Sequence, residues 1–132
     1  MAALPYRVTP EGAVEILLIT SRRTHRWIVP KGWTMEGLSA ASAAAREAFE
    51  EAGVSGEIAS EPLGVFHYLK EKHGTAIPCR VSLFPLKVAR QHRAWPERDA
   101  RDVKWLPAEE AAALVGEPEL RRLILKFGVS KR

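Results

Sequence analysis

Residues 32–54 read GWTMEGLSAASAAAREAFEEAGV, a segment that brings three carboxylates and an arginine together. Glu47 and Glu51 are four residues apart, and Glu50 follows Glu47 by three, so on a helix all three share one face. Like charges at this spacing destabilise a helix unless a partner compensates them. Mg²⁺ is such a partner, because it binds oxygen ligands and is usually held by a few carboxylates together with substrate phosphates. The pattern therefore predicts a Mg²⁺ site, with Mn²⁺ as the alternative ion.

A solvated surface helix is the simpler reading of the same charges, since charge runs usually lie on exposed faces. That reading explains neither Gly32 and Gly53 at the two ends of the segment nor Arg46 beside the acids. We therefore favour a metal–diphosphate site over a merely solvated face.

The segment resembles the Nudix box, in which Gly, five residues, Glu and seven residues precede Arg-Glu-aliphatic-x-Glu-Glu-x-Gly-aliphatic. The positions in register are Gly32, Arg46, Glu47, Glu50, Glu51, Gly53 and Val54. Two positions depart from the pattern: Leu38 stands where the first Glu is expected, and Ala48 is smaller than the usual aliphatic residue. Six fixed identities in register have a chance probability on the order of 10⁻⁷ per window.

The resemblance implies an α/β protein with the Nudix fold, an α/β/α sandwich around a mixed β-sheet, formed by one domain over residues 1–132. It also implies a Mg²⁺-dependent hydrolase that cleaves a diphosphate linkage. Glu47, Glu51 and the backbone carbonyl of Gly32 would bind the metal. Glu50 would act as the general base or as a further ligand, and Arg46 would orient the glutamates.

A finer resemblance is to the branch of diphosphoinositol polyphosphate phosphohydrolases, which also cleave diadenosine polyphosphates. It is carried by Ser21-Arg22, by residues 26–30 (RWIVP), by the box and by Arg101 with Trp105. The resemblance nominates four substrate-binding residues: Ser21, Arg22, Lys31 and Arg101. Two departures are Lys31, which replaces a glycine, and Glu117, which lies near the position of a lysine in that branch.

Composition indicates an ordinary globular protein, with 132 residues, 46% apolar and 27% charged. No apolar run is long enough to span a bilayer, and the start lacks a signal-peptide pattern, so we expect a cytoplasmic protein without a membrane partner. The single cysteine, Cys79, lies in an apparent strand and excludes an internal disulfide. The net charge is +4, and part of the excess of basic residues is concentrated in residues 22–31, just before the acidic helix.

This charge distribution predicts a phosphorylated small-molecule substrate. Nucleic acid is disfavoured, because no aromatic-rich RNA-binding signature or helix-turn-helix pattern accompanies the basic residues. The sequence leaves both a monomer and a homodimer open.

Hydrophobic patterning and turn residues predict the elements along the chain. We expect strands at residues 13–20, 27–29, 63–69, 78–87 and 103–105, with loops at residues 70–76 and 89–100. A helix should run over residues 40–52, from an N-cap at Ser39 to a C-cap at Gly53. Its small apolar stripe would be Ala41, Ala45, Ala48 and Ala52. Pro107 and Pro118 suit the first turns of two C-terminal helices, the second ending near Gly128.

Two other functions stay open at this point. One is a nucleotide-sanitising or ADP-ribose type of Nudix pyrophosphatase, and the other is a non-catalytic Nudix-like module that senses a phosphorylated ligand. Modules of that second kind often lose box glutamates, whereas all of Glu47, Glu50 and Glu51 are present here.

Overall fold

The computed structural model describes residues 1–131 and contains a seven-stranded sheet with helices on both faces. In chain order the elements are β1 (Ala2–Val8), β2 (Val14–Thr20), β3 (Trp27–Ile28), α1 (Ala40–Ala52), β4 (Val54–Ile58), β5 (Gly64–Lys72), β6 (Thr75–Gln91), β7 (Val103–Pro107), α2 (Ala108–Leu114) and α3 (Pro118–Ser130).

The sheet is mixed, as predicted. Its central order is β3-β2-β1-β6-β4, with β5 paired to β6 and β7 paired to β2. β1 and β6 run parallel over residues 2–6 and 83–87, and the other strand pairs are antiparallel. The long strand β6 pairs first with β5 and then enters the main sheet between β1 and β4.

Each face of the sheet has its own hydrophobic core, which explains why β2 is apolar on both sides. Ile16 and Leu18 belong to the core shared with α2 and α3. Leu17 and Ile19 point the other way, into the core shared with α1. The predicted α/β/α sandwich is confirmed.

Helix α1 begins and ends where the sequence predicts. The Ser39 side chain accepts a hydrogen bond from the Ser42 backbone N–H, and Gly53 closes the helix in the left-handed conformation with φ of 71°. The alanines of α1 in the core on this face are Ala41, Ala44, Ala48 and Ala52, so the predicted stripe is wrong at Ala45, which is half-buried. These short side chains let α1 pack directly on β1 and β4.

The boundaries differ from the predictions at four points. The predicted loop at residues 70–76 is a tight hairpin around His73 and Gly74, both with positive φ. Strand β6 continues through Gln91 into the predicted loop at residues 89–100. Pro107 is both the last residue of β7 and the N-cap of α2, one position before the predicted first turn. Pro118 is the first residue of α3, which ends at Ser130 and not near Gly128.

None of the helices within residues 1–131 is long and apolar enough to cross a membrane.

Candidate active site

Two buried glutamates from α1 line the floor of a large cleft. Glu47 is 9% exposed and Glu51 is 7% exposed, on the same face of α1, as their spacing predicts. Charged side chains are almost never this buried unless they are paired or bind a metal. Two adjacent buried carboxylates therefore indicate a site for a cation.

The loop between β3 and α1 lies directly over these carboxylates. The Lys31 backbone N–H donates to Oε1 of Glu51 at 3.2 Å. A Cβ atom built on Gly32 would lie 2.5 Å from Cδ of Glu47 and 2.7 and 2.9 Å from its two carboxylate oxygens. With the Glu47 carboxylate in this position only a glycine fits, which gives a physical reason for Gly32 in the box pattern.

Strand β1 fixes this loop from the other side. The backbone N–H of Ala3 donates to the Pro30 carbonyl, and the N–H of Gly32 donates to the Met1 carbonyl, both at 3.0 Å. The Met1 ammonium group donates to the Gly32 carbonyl at 3.0 Å. The carbonyl that the box pattern assigns to the metal thus already faces a positive group in the structure.

Electrostatics at the two glutamates match a site that needs a cation. Burial raises the pKa of Glu47, and the charges of Glu50 and Glu97 raise it further. Burial also raises the pKa of Glu51; the Arg101 guanidinium opposes this shift and the Glu47 carboxylate adds to it. A metal ion between the two carboxylates would remove this penalty on their charged forms.

The donor set fits Mg²⁺ or Mn²⁺. All the candidate ligand atoms are oxygens, two carboxylates and one backbone carbonyl, which hard divalent cations prefer. Across residues 1–131, no three His, Cys, Asp or Glu side chains converge into a metal site built by the protein alone. This is compatible with Mg²⁺, which is usually held by one or two carboxylates and completes its coordination with waters and substrate phosphates.

Glu50 and Arg46 lie beside this floor. The Arg46 Nε donates to Oε1 of Glu50 at 3.3 Å, one helical turn away, and the Arg46 side chain is mostly exposed. Glu50 is half-buried and lies outside the set of residues that line the cleft. Arg46 thus orients Glu50 directly and contacts neither Glu47 nor Glu51 by hydrogen bond or ion pair.

The cleft has a volume of about 1340 Å³ and is lined by seven cationic side chains. They are Arg22, Arg23, Arg26, Lys31, Lys70, Arg80 and Arg101. A concave site with acidic floor and basic walls suits a ligand that carries several phosphates together with a metal ion.

Lys31, predicted to bind substrate, lies near Glu51 on one side and Tyr68 on the other. Burial lowers the pKa of its ammonium group and the Glu51 carboxylate opposes the shift. Its Nζ is 5.0 Å from the centre of the Tyr68 ring, a cation–π distance.

Ser21 and Arg22 both line the cleft but differ in their freedom. The Ser21 Oγ is used within its own loop: it accepts from the Arg26 backbone N–H at 3.1 Å and lies 2.6 Å from the Thr24 hydroxyl. The Arg22 side chain is 65% exposed, and its nearest carboxylate oxygen, Oε1 of Glu97, is 4.0 Å away. Arg22 is therefore free to turn toward a ligand, while Ser21 shapes the loop that carries it.

Arg101 is the most enclosed of the predicted substrate residues. Its side chain is 10% exposed, its Nε donates to Oε1 of Glu97 at 3.0 Å, and its Nη1 donates to the Thr20 carbonyl at 3.1 Å. Its Nη2 lies 3.6 Å from Oε2 of Glu51. Arg101 thus touches the proposed metal-binding carboxylate itself, a contact that the sequence did not reveal.

Sequence reasoning missed several residues of the cleft. Tyr68, Lys70 and Arg80 come from the β5–β6 hairpin, which was predicted only as two strands with a loop. Glu97 does not line the cleft but pairs with Arg101; it lies in the segment predicted as a loop, and the only signal for it is the four-residue spacing to Arg101. Residues 90–101 also contain several basic side chains, namely Arg90, His92, Arg93, Arg98 and Arg101, and of these Arg101 alone lines this cleft.

Comparison with known proteins supplies independent findings. A family model described as the NUDIX domain matches residues 3–127. Nudix hydrolase 12, mitochondrial, of Arabidopsis thaliana is 34% identical over 119 residues, which are 86% of this chain and 58% of that protein. Diphosphoinositol polyphosphate phosphohydrolase 2 of Rattus norvegicus is 33% identical over 112 residues, 83% of this chain and 58% of that protein. The chain thus spans less than two thirds of either curated relative.

A solved structure gives the corresponding likeness in three dimensions. The crystal structure of a C. elegans Ap4A hydrolase binary complex superposes with a TM-score of 0.69 and is 26% identical. The match covers 97% of this chain and 93% of that chain. The likeness therefore includes the sheet and both of its helical layers.

Proposed function

Since this chain belongs to the Nudix family, we propose that it is a Mg²⁺-dependent hydrolase of a phosphoanhydride linkage in a phosphate-rich small molecule, such as a diphosphoinositol polyphosphate or a diadenosine polyphosphate. The observation that carries the proposal is the pair of buried carboxylates, Glu47 and Glu51, on the floor of a cleft with cationic walls. The similarity to the rat diphosphoinositol polyphosphate phosphohydrolase and to the C. elegans Ap4A hydrolase supports the two substrate classes.

We assign roles from the positions of the side chains. Glu47, Glu51 and the Gly32 carbonyl would hold the metal, which supplies charge neutralisation at the phosphates and a water of lowered pKa. Glu50, oriented by Arg46, would accept the proton of the attacking water. Because Glu50 points beside the cleft in this structure, its carboxylate must turn from Arg46 toward the water to do so.

The basic walls would bind and orient the phosphates. Lys31 lines the cleft and its backbone N–H donates to Glu51, so we assign its side chain to the phosphate group that is attacked. Arg22, exposed at the cleft wall, would bind phosphates farther from the metal. Ser21 would hold the loop in shape, and Arg101 would act at the metal end of the substrate.

The cellular location and the assembly state remain predictions. We retain the cytoplasm as the expected location, although several relatives carry mitochondrial or chloroplastic in their names. A monomer and a homodimer are both compatible with the proposed activity.

The test is a competition assay followed by a single substitution. The protein is incubated with Mg²⁺ and a mixture of diphosphoinositol pentakisphosphate, diadenosine hexaphosphate, ADP-ribose and nucleoside triphosphates, and the products are separated by chromatography. We expect one of the first two to be consumed preferentially. Preference for ADP-ribose or a nucleoside triphosphate would contradict the substrate class, and no turnover at all would favour a ligand-sensing module.

Glu51→Gln should then lower Mg²⁺-dependent turnover by at least 10²-fold while the protein stays folded. The matched control is Glu15→Gln. Glu15 does not line the cleft, and its carboxylate pairs with Arg7 at an Nε–Oε1 distance of 2.7 Å. Near-normal turnover in folded Glu51→Gln would refute the metal assignment.

A further inference from the structure

Glu97 reaches into the site from the segment between β6 and β7. Its backbone N–H donates to the Glu50 carbonyl at 3.0 Å, and this contact docks the segment on the end of α1. Trp95 of the same segment packs against Gly53, where an added Cβ would collide with its ring. The Glu97 carboxylate is thereby placed where it contacts Arg101, the arginine that also reaches Glu51.

The Arg101 guanidinium lies between two carboxylates and is not shared equally. Its Nε lies 3.0 Å from Oε1 of Glu97, whereas its Nη2 lies 3.6 Å from Oε2 of Glu51, and the Arg101 side chain is 10% exposed. Because Coulomb attraction in a poorly hydrated site rises steeply at short range, the nearer carboxylate determines where the guanidinium rests. Together with the Thr20 carbonyl, which accepts from Arg101 Nη1 at 3.1 Å, Glu97 therefore holds Arg101 away from full contact with Glu51.

This restraint matters for the metal. An arginine in direct bidentate contact with Glu51 would occupy the carboxylate oxygens that a cation needs. With Glu97 present, Arg101 is near enough to orient Glu51 and still leaves its oxygens available. Resting on the function proposed above, we propose that Glu97 is a positioning residue that keeps Arg101 from competing with the metal for Glu51.

The experiment measures metal binding without substrate. Mn²⁺ is titrated into the protein, and free Mn²⁺ is followed by electron paramagnetic resonance. We expect Glu97→Gln to raise the dissociation constant for Mn²⁺ about tenfold. A change of this size follows if the Arg101–Glu51 pair closes by a little less than an ångström at an effective dielectric constant of about 20. Glu15→Gln, which removes a carboxylate from the Arg7 pair, should bind Mn²⁺ as the parent does.

A double-mutant cycle separates positioning from a simple loss of charge. If Glu97 acts through Arg101, Glu97→Gln should have little effect on Mn²⁺ affinity in an Arg101→Gln background. An equal loss in both backgrounds would show that Glu97 attracts the cation directly, and an unchanged affinity in Glu97→Gln alone would also overturn the proposal. Should Glu97→Gln fail to fold, Glu97→Asp replaces it, because it moves the carboxylate back by one methylene, and the same outcomes decide.

The parent protein keeps this test independent of the proposed function. A parent that binds no Mn²⁺ would refute the metal assignment itself. A parent that binds Mn²⁺, with Glu97→Gln unchanged, would refute only the role of Glu97.

Discussion

Gly32→Ala should weaken metal binding while leaving the fold intact. The added methyl group would lie 2.5 Å from Cδ of Glu47, whereas ordinary contacts of a Cβ atom begin near 3.4 Å. The carboxylate must therefore move by about 0.9 Å, away from the position that faces Gly32 and Glu51. Displacement of a catalytic group by about 1 Å costs on the order of 10²-fold in rate, because the reacting groups no longer meet in line.

The fold should tolerate this change. The colliding atoms belong to the end of a flexible side chain. Where the backbone conformation is allowed, Ala in place of Gly stabilises a protein by about 0.4–1 kcal/mol, because it reduces the conformational entropy of the unfolded chain. We expect circular dichroism and the melting temperature to stay close to those of the parent. Mn²⁺ affinity and Mg²⁺-dependent kcat/KM should both fall, the latter by about 10²-fold.

Gly116→Ala is the matched control, because a Cβ there meets no atom within 4 Å and its φ is not in the left-handed region. It should bind metal and turn over substrate as the parent does. The reasoning fails if folded Gly32→Ala keeps the metal affinity and turnover of the parent, since the carboxylate then tolerates the displacement.

Three further predictions follow from neighbouring features. Burial raises the pKa of Glu51 from its ordinary 4.5 to about 8, so the folded protein keeps a proton that the unfolded chain loses in this range. The metal-free protein should therefore lose stability as pH rises from 5 to 8, by on the order of 2–4 kcal/mol in denaturant unfolding with EDTA, and Glu51→Gln should flatten this dependence. Arg22→Ala should raise KM for a diadenosine hexaphosphate more than for ADP-ribose, because only a long phosphate chain reaches its position; equal increases would contradict that role. Gly53→Ala should destabilise the protein more than Gly37→Ala in thermal unfolding, since both have positive φ but only Gly53 is packed against the Trp95 ring.

The acidic helix could be predicted almost to the residue. Ser39 and Gly53 are strong capping residues, and the four-residue spacing of Glu47 and Glu51 places them on one face in any helix. The burial of that face could not be read from the helix alone. It depends on the loop at Gly32, which comes close only in the folded protein.

Strands β1 and β4 were missed for local reasons. β1 contains Pro5, which cannot donate to a sheet ladder and argues against a central strand, yet β1 lies between β2 and β6. β4 is only five residues long and contains Gly56, which sits at an irregularity in pairing where the backbone of β6 approaches closely. Tertiary pairing outweighs local propensity at both strands.

The contacts of Arg101 could not be predicted, because its partners are distant in the sequence. Thr20 and Glu51 lie 81 and 50 residues before it. The four-residue spacing of Glu97 and Arg101 places the pair in the site only because their segment packs against α1 in the folded protein. Sequence patterns describe single elements well, whereas this part of the site is formed by β2, by α1 and by the segment between β6 and β7.

The pairing of Met1 with Gly32 has a practical consequence for how the protein is produced. Any residue joined to the Met1 nitrogen, whether native or from a tag, would make it a neutral amide within hydrogen-bonding distance of the carbonyl assigned to the metal. A purification tag at that end would therefore alter the very site under assay. A tag placed after α3, on the opposite face of the sheet from α1, leaves the carboxylates and their loop as they are.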